Sequence, residues 1–176
     1  MKAKRLFLLR HAKSSREDPS LDDFSRPLNK RGTRAAHAMA EWLSARSLHP
    51  DLVLCSAALR TRETLAAVRQ ALGPTVDIRL EKRLYLADEE TILELLAELD
   101  ELPSVPAQVM VIGHNPGLGD LALTLVPPAE TETRRRIAEK FPTCAFVDLS
   151  FGVEDWAEIS SARATLNEYL VPAEIQ

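Results

Sequence analysis

Two histidines and two arginines stand out in this sequence by where they fall. Arg10 and His11 end the apolar run RLFLL abruptly, and His114 follows the run QVMVIG. Arg60, with Arg62 beside it, lies about one helical turn beyond Cys55-Ser56, which ends a third run, DLVLC. A neutral imidazole is a nitrogen nucleophile, and with an unperturbed pKa near 6.5 roughly three quarters of it is neutral at pH 7. Guanidinium groups nearby oppose a second positive charge, so Arg10 and Arg60 are expected to push a neighbouring imidazole pKa down. Their forked donors suit phosphate best, and they stabilise the charge that grows on equatorial oxygens during phosphoryl transfer. These parts are the ones needed for a covalent phosphohistidine, which splits one hydrolysis into two easier steps.

Each feature alone has a plainer explanation. Arg10-His11 could be a surface feature, Arg60 to Arg62 a solvated helix start, and His114-Asn115-Pro116-Gly117 a polar turn. Three such accidents at three matching strand ends are less economical than one anion site. Ser56 is expected to cap the helix that carries Arg60, adding a helix N-terminus to the site. Lys13, Ser14 and Arg26, in or beside the segment after the first run, are candidates to line it. The other two histidines, His37 in a helix and His49 in a loop, do not share these positions. Arg134 to Arg136 read as a solvated helix face rather than a docking surface. No G-x-S-x-G elbow and no G-x-x-x-x-G-K-[ST] loop occurs, so serine-hydrolase and P-loop chemistry have no support. The histidines lack metal spacing and no carboxylate cluster accompanies them, so neither a metal nor a cofactor is expected.

The elements that must position these residues alternate. Strands are expected at 5–9, 51–55, 76–80 and 108–113, and helices at 31–48, 57–72, 89–99, 116–125 and 133–140. Residues 13–30 read as a long loop. The segments 144–151 and 156–166 read as a strand pair joined near Gly152. Strand–helix alternation with continuously apolar strands predicts an α/β three-layer sandwich: a mostly parallel sheet covered by helices on both faces, with the last pair antiparallel at one edge. In such sheets ligands bind beyond the carboxyl ends of the strands, which is where the histidines and arginines fall.

The 176 residues, 45% apolar, suffice for one domain with a core, and no linker divides them. A net charge of −4 argues against nucleic-acid binding. Cys55 and Cys144 make neither a disulfide framework nor a metal knuckle and are expected as small core residues in a reducing cytoplasm. The apolar run after the charged N-terminus is too short for a signal peptide, and no stretch approaches the roughly 20 apolar residues of a membrane span. A soluble, cytoplasmic protein is expected, and nothing demands a dimer, so a monomer.

The motifs LLRHAKSS, LCSAALRTRET and VIGHNPG, in that order, with SRPLNKRG after the first and FPTCAFVDL near the end, resemble the histidine phosphatase superfamily, in particular its SixA-type phosphohistidine phosphatase branch. The likeness runs from Arg5 to about Leu149. It implies a phosphoglycerate-mutase-like fold, His11 as the nucleophile that becomes phosphorylated, Arg10 and Arg60 as ligands of the phosphoryl oxygens, and His114 as a second active-site histidine contacting phosphate. The family's glycine after the histidine is Ala12 here, which requires a backbone φ that is not positive at that position. Relatives carry a glutamate general acid after the third strand, near Leu84-Tyr85 in this chain; Glu81, Asp88 and Glu89 lie close, but none clearly fills the role. Relatives also insert a helical lid, whereas residues 81–107 leave room for one helix.

Both departures point to the same substrate class. An alkoxide leaves poorly and benefits from a positioned acid; the imidazole of a phosphohistidine leaves far more easily, and an open crevice admits a protein surface. The expected substrate is therefore a phosphohistidine-bearing protein. The alternatives are a small-molecule phosphomonoesterase or mutase using the same nucleophile, and a non-catalytic phosphate-binding module.

Overall fold

The computed structural model describes residues 3–175. Its centre is a six-stranded sheet formed by β1 (Lys4–Arg10), β2 (Leu52–Ser56), β3 (Asp77–Glu81), β4 (Gln108–Gly113), β5 (Phe146–Phe151) and β6 (Ala164–Leu170). The spatial order is β3-β2-β4-β1-β5-β6. The first four are mutually parallel, and β5 and β6 add antiparallel at the edge. Five helices cover it: α1 (Lys30–Ala45), α2 (Leu59–Val68), α3 (Glu89–Ala97), α4 (Gly117–Leu125) and α5 (Thr131–Glu139).

The inner strands β1, β2 and β4 are largely apolar and buried because both faces are covered, whereas the edge strands β3 and β6 are partly exposed. In β1, Leu6 and Leu8 pack with Leu95, Leu118 and Ile137 of α3, α4 and α5, while Phe7 and Leu9 pack oppositely with Met39, Leu43 and Leu65 of α1 and α2. All four β1 side chains are fully buried, each contributing roughly 1.5–3 kcal/mol of transfer free energy. This is the three-layer α/β sandwich expected from the alternating pattern. No helix among the described residues is long and apolar enough to cross a membrane.

Two local expectations differ from the structure. The last strand lies at Ala164–Leu170 rather than at 156–166. Residues Trp156–Glu158 form a 3-10 turn instead, because the Trp156 backbone N–H and the indole N–H are taken by the Asp100 carboxylate and the Pro106 carbonyl, each at 2.8 Å. Ser56 does not cap α2; the cap position is Ala58, without a side-chain hydrogen bond. Thr61 Oγ sits over that end instead, 2.7 Å from the Ala58 carbonyl and 2.8 Å from that of Ser56. Between β3 and β4 the chain holds α3 and short 3-10 turns at Lys82–Leu84 and Glu98–Glu101.

Candidate active site

β1 and β4 are neighbours, and their last registered pair is Arg10 with Gly113. One residue further, the His11 N–H donates to the Gly113 carbonyl at 3.0 Å. His11 and His114 therefore leave the sheet side by side, with ring centroids 5.3 Å apart. The helices that follow the two strands, α1 and α4, pack on opposite faces, so a crevice opens where the connections diverge. The 141–145 stretch braces it from β5: the Cys144 N–H donates to the Arg10 and His11 carbonyls, and the Ala145 carbonyl accepts from Arg10 N–H. Ala12 is absent from the positive-φ residues, so alanine fits there without strain, and its N–H donates to Thr64 Oγ at 3.0 Å.

Arg60 enters from α2 and is 3% exposed. That helix turns Arg60, Thr61 and Thr64 inward beside Leu65 and Val68, so its buried face is partly polar, as the wall of a site must be. The Arg60 Nε–H donates to His11 Nε2 at 3.3 Å, and its second amino group lies 3.3 Å from His114 Nδ1. A guanidinium only donates; the ring nitrogens facing it must therefore carry lone pairs. His11 places its proton on Nδ1, donating to the Ala12 carbonyl at 2.7 Å, and offers Nε2 bare. His114 places its proton on Nε2, donating to Ser56 Oγ at 2.7 Å.

The electrostatics agree with two neutral rings. Burial is the main cause that lowers the His11 pKa to about 4; Arg60, Arg10 and Arg26 add to it, and the Ala12 carbonyl opposes. Burial likewise leads in lowering His114 to about 3, followed by His11 and Arg60. The arginines were expected to supply this shift; their direction holds, but loss of water is the larger cause.

Arg10 donates to the Phe141 carbonyl at 2.8 Å, and its Nε is buried without a hydrogen-bond partner. The crevice, about 270 Å³, is lined by His11 and His114 together with Arg10, Lys13, Ser14, Arg26 and Arg60. All seven residues singled out in the sequence thus meet in one place. Arg16, Asn115, Thr143 and Leu86 also line it, and no carboxylate does. Glu81 pairs with Arg83, Asp88 caps α3, and Glu89 accepts from Thr124, so none of the three carboxylates after β3 faces the histidines. Arg62 is exposed and bonds its own helix start. Arg135 and Arg136 pair with glutamates, and Arg134 binds the Leu123 and Val126 carbonyls.

Sequence reasoning missed Asp23 and Tyr85. Asp23 lies in a 3-10 turn inside the 13–30 loop and accepts from the Tyr85 hydroxyl at 2.5 Å. The Tyr85 ring stands edge-on to His114 with centroids 5.4 Å apart. Nothing in the local pattern of either residue signals this; only the folded loop brings them to Arg60. The assembled site combines an unprotonated ring nitrogen with five cationic side chains, which is the chemistry of taking a phosphoryl group onto nitrogen.

The family model of the histidine phosphatase superfamily (branch 1) matches residues 6–86. An uncharacterised protein of Mycobacterium tuberculosis, Rv1276c, is 36% identical over 166 residues, covering 93% of this chain and 99% of its own. Among solved structures, one provisionally designated phosphohistidine phosphatase SixA, from Agrobacterium tumefaciens, superposes with a TM-score of 0.78 at 32% identity, covering 96% of this chain and 98% of its own. The protein histidine phosphatase SixA complexed with tungstate superposes with a TM-score of 0.74 at 26% identity, covering 98% and 99%.

Proposed function

The chain belongs to the histidine phosphatase superfamily, and on that premise we propose that it hydrolyses the N–P bond of phosphohistidine on a protein substrate, without metal or cofactor, through a covalent phosphohistidine on His11. The observation that carries this reading is the His11 Nε2 lone pair, faced by Arg60 Nε at 3.3 Å in a crevice lined by five cations, with the Asp23 carboxylate outside the lining and engaged by Arg60. Its SixA-like neighbours support the same class.

In the first step His11 Nε2 attacks phosphorus, and the bond from phosphorus to the substrate nitrogen breaks. A substrate imidazole protonated on its other nitrogen departs as neutral imidazole, so no protein acid is required. The Arg60 Nε–H, freed from Nε2, is handed to a phosphoryl oxygen, and Arg10 and Arg26 neutralise the others; Ser14 and Lys13 complete the rim. In the second step water attacks the phosphoryl group, the His11–phosphorus bond breaks, and phosphate leaves while Nε2 regains its lone pair. His114, neutral when the site is empty, is favoured to accept a proton once a dianion sits beside it, and then contacts phosphate.

The same reading treats the chain as a single domain without a sizeable lid, since α3 and two short turns fill residues 81–107. It also has the enzyme acting as a monomer in the cytoplasm.

The test compares kcat/KM on a phosphohistidine protein with that on sugar phosphates and phosphoserine, and looks for an acid-labile, base-stable phosphoryl group on the quenched enzyme. The N–P substrate should be preferred, and His11→Ala should carry no label and lose at least about 10³-fold in kcat. Higher kcat/KM on phosphate esters would assign a small-molecule phosphomonoesterase instead, and label surviving in His11→Ala would remove His11 as nucleophile.

A further inference from the structure

A second cleft, about 490 Å³, adjoins the phosphoryl crevice and shares Arg10, Lys13 and Thr143 with it. Arg31 and Lys140 stand on its walls, and Pro142, Val171 and Pro172 contribute apolar surface. The cations come from separate elements: Lys13 from the loop after β1, Arg31 from the first turn of α1, and Lys140 from the cap position ending α5. Among the described residues Lys13, Arg31 and Lys140 have no carboxylate partner. Glu174, which follows the lining residue Ala173, is taken by Arg136 and by the Val171 N–H.

Among the described residues seven arginines form ion pairs with carboxylates, whereas the four cations of this cleft, Arg10, Lys13, Arg31 and Lys140, form none. The position of Arg31 is also electrostatically costly. It lies with Lys30 at the positive end of α1, whose first turn holds no acid. A cation kept there against the helix dipole, in a cleft that two unpaired lysines also line, suits an anionic occupant. The cations are supplied by separate elements and share the lining with Pro142, Val171 and Pro172, which suits several separate carboxylates better than one second phosphate. No aromatic side chain lines the cleft, so a nucleotide base has no platform to stack on.

We propose that this groove docks acidic side chains flanking the phosphohistidine on the protein substrate, with Arg31 and Lys140 as the specificity-determining cations. The proposal rests on the phosphohistidine reading above. Docking through the groove lowers KM for acidic substrates and leaves the phosphoryl step in the neighbouring crevice unchanged.

The test uses the full chain and two synthetic peptides carrying a chemically phosphorylated histidine, one flanked by glutamates and one by glutamines. The glutamate peptide should show a KM roughly tenfold lower, and the double variant Arg31→Glu/Lys140→Glu should erase that advantage with kcat changed less than about twofold. Turnover of p-nitrophenyl phosphate, which is too small to reach the groove, should be unchanged and also reports folding. Lys140→Glu alone serves if the double variant does not fold. Binding of the unphosphorylated glutamate peptide, followed by anisotropy, should weaken equally in the variant and with added salt. Equal KM for the two peptides, or an equal loss on p-nitrophenyl phosphate, overturns the docking groove and leaves the phosphohistidine reading standing. Cleavage of p-nitrophenyl phosphate with no turnover of either peptide overturns both.

Discussion

Asp23 holds Arg60 at two points: its carbonyl accepts from one amino group at 2.7 Å and its carboxylate from the other at 3.0 Å. The carboxylate also takes the Tyr85 hydroxyl, and the hydroxyl is the leading cause that keeps Asp23 below the usual carboxylate range, with Arg60 and Arg26 adding. Asp23 is 48% exposed while Arg60 is 3% exposed, so the pair adds little to stability through its exposed partner. What it does is aim the guanidinium whose Nε faces His11.

Asp23→Asn should therefore act as a change of orientation. The amide retains one acceptor oxygen for two donors and removes the charge. We expect kcat/KM to fall about 10–100-fold, or roughly 1.4–2.7 kcal/mol, with vanadate inhibition weakened by a similar factor. The melting temperature should move by no more than a few degrees. A Tm drop with unchanged vanadate affinity would make Asp23 a purely structural residue.

The two site histidines should make the fold acid-sensitive. Both have folded pKa values below 6.5, about 4 for His11 and about 3 for His114. As pH falls through 6.5 the unfolded chain takes up these protons first, so stability is complete above that pH and declines below it. The slope is at most about 1.4 kcal/mol per pH unit for each group, continuing until the folded site protonates. Urea midpoints should drop between pH 7 and pH 5, and His11→Gln should flatten the decline. A midpoint constant over that interval in the wild type would contradict neutral buried rings.

Gly32 of SRPLNKRG and Gly117 of VIGHNPG are places where backbones touch. A Cβ on Gly32 would lie 2.1 Å from the Lys13 carbonyl oxygen, and one on Gly117 would lie 1.9 Å from that of Ala87. Gly32→Ala must push the first turn of α1 away from the loop bearing Lys13 and Ser14, an overpacking cost of about 2–3 kcal/mol. Thermal scans should show a fall of roughly 5–10 °C together with weaker phosphate binding. Gly152→Ala, with open space around it, is the control and should leave both unchanged.

Much of this molecule is readable along the chain because its signals are local. Continuous apolar runs bounded by charge identify β1, β2 and β4, and the period of Ile92, Leu95 and Leu96 identifies α3. The charged tips of those runs name His11, His114 and Arg60 as candidates, since no buried strand needs such residues for packing. The last strand is misplaced by the same reasoning: WAEISSARATL alternates well enough, but a strand exists only where a partner accepts it, and β5 pairs with 164–170. Asp23 and Tyr85 are invisible for the related reason that a loop residue has no period. The rest needed three dimensions. Only the Arg10–Gly113 register sets the two imidazoles 5.3 Å apart. Which ring nitrogen is bare depends on where a buried guanidinium points, and how far each pKa falls depends chiefly on how much water the closed fold excludes. Neither quantity is a property of any residue in its own stretch of sequence; both arise when distant segments share one dry volume.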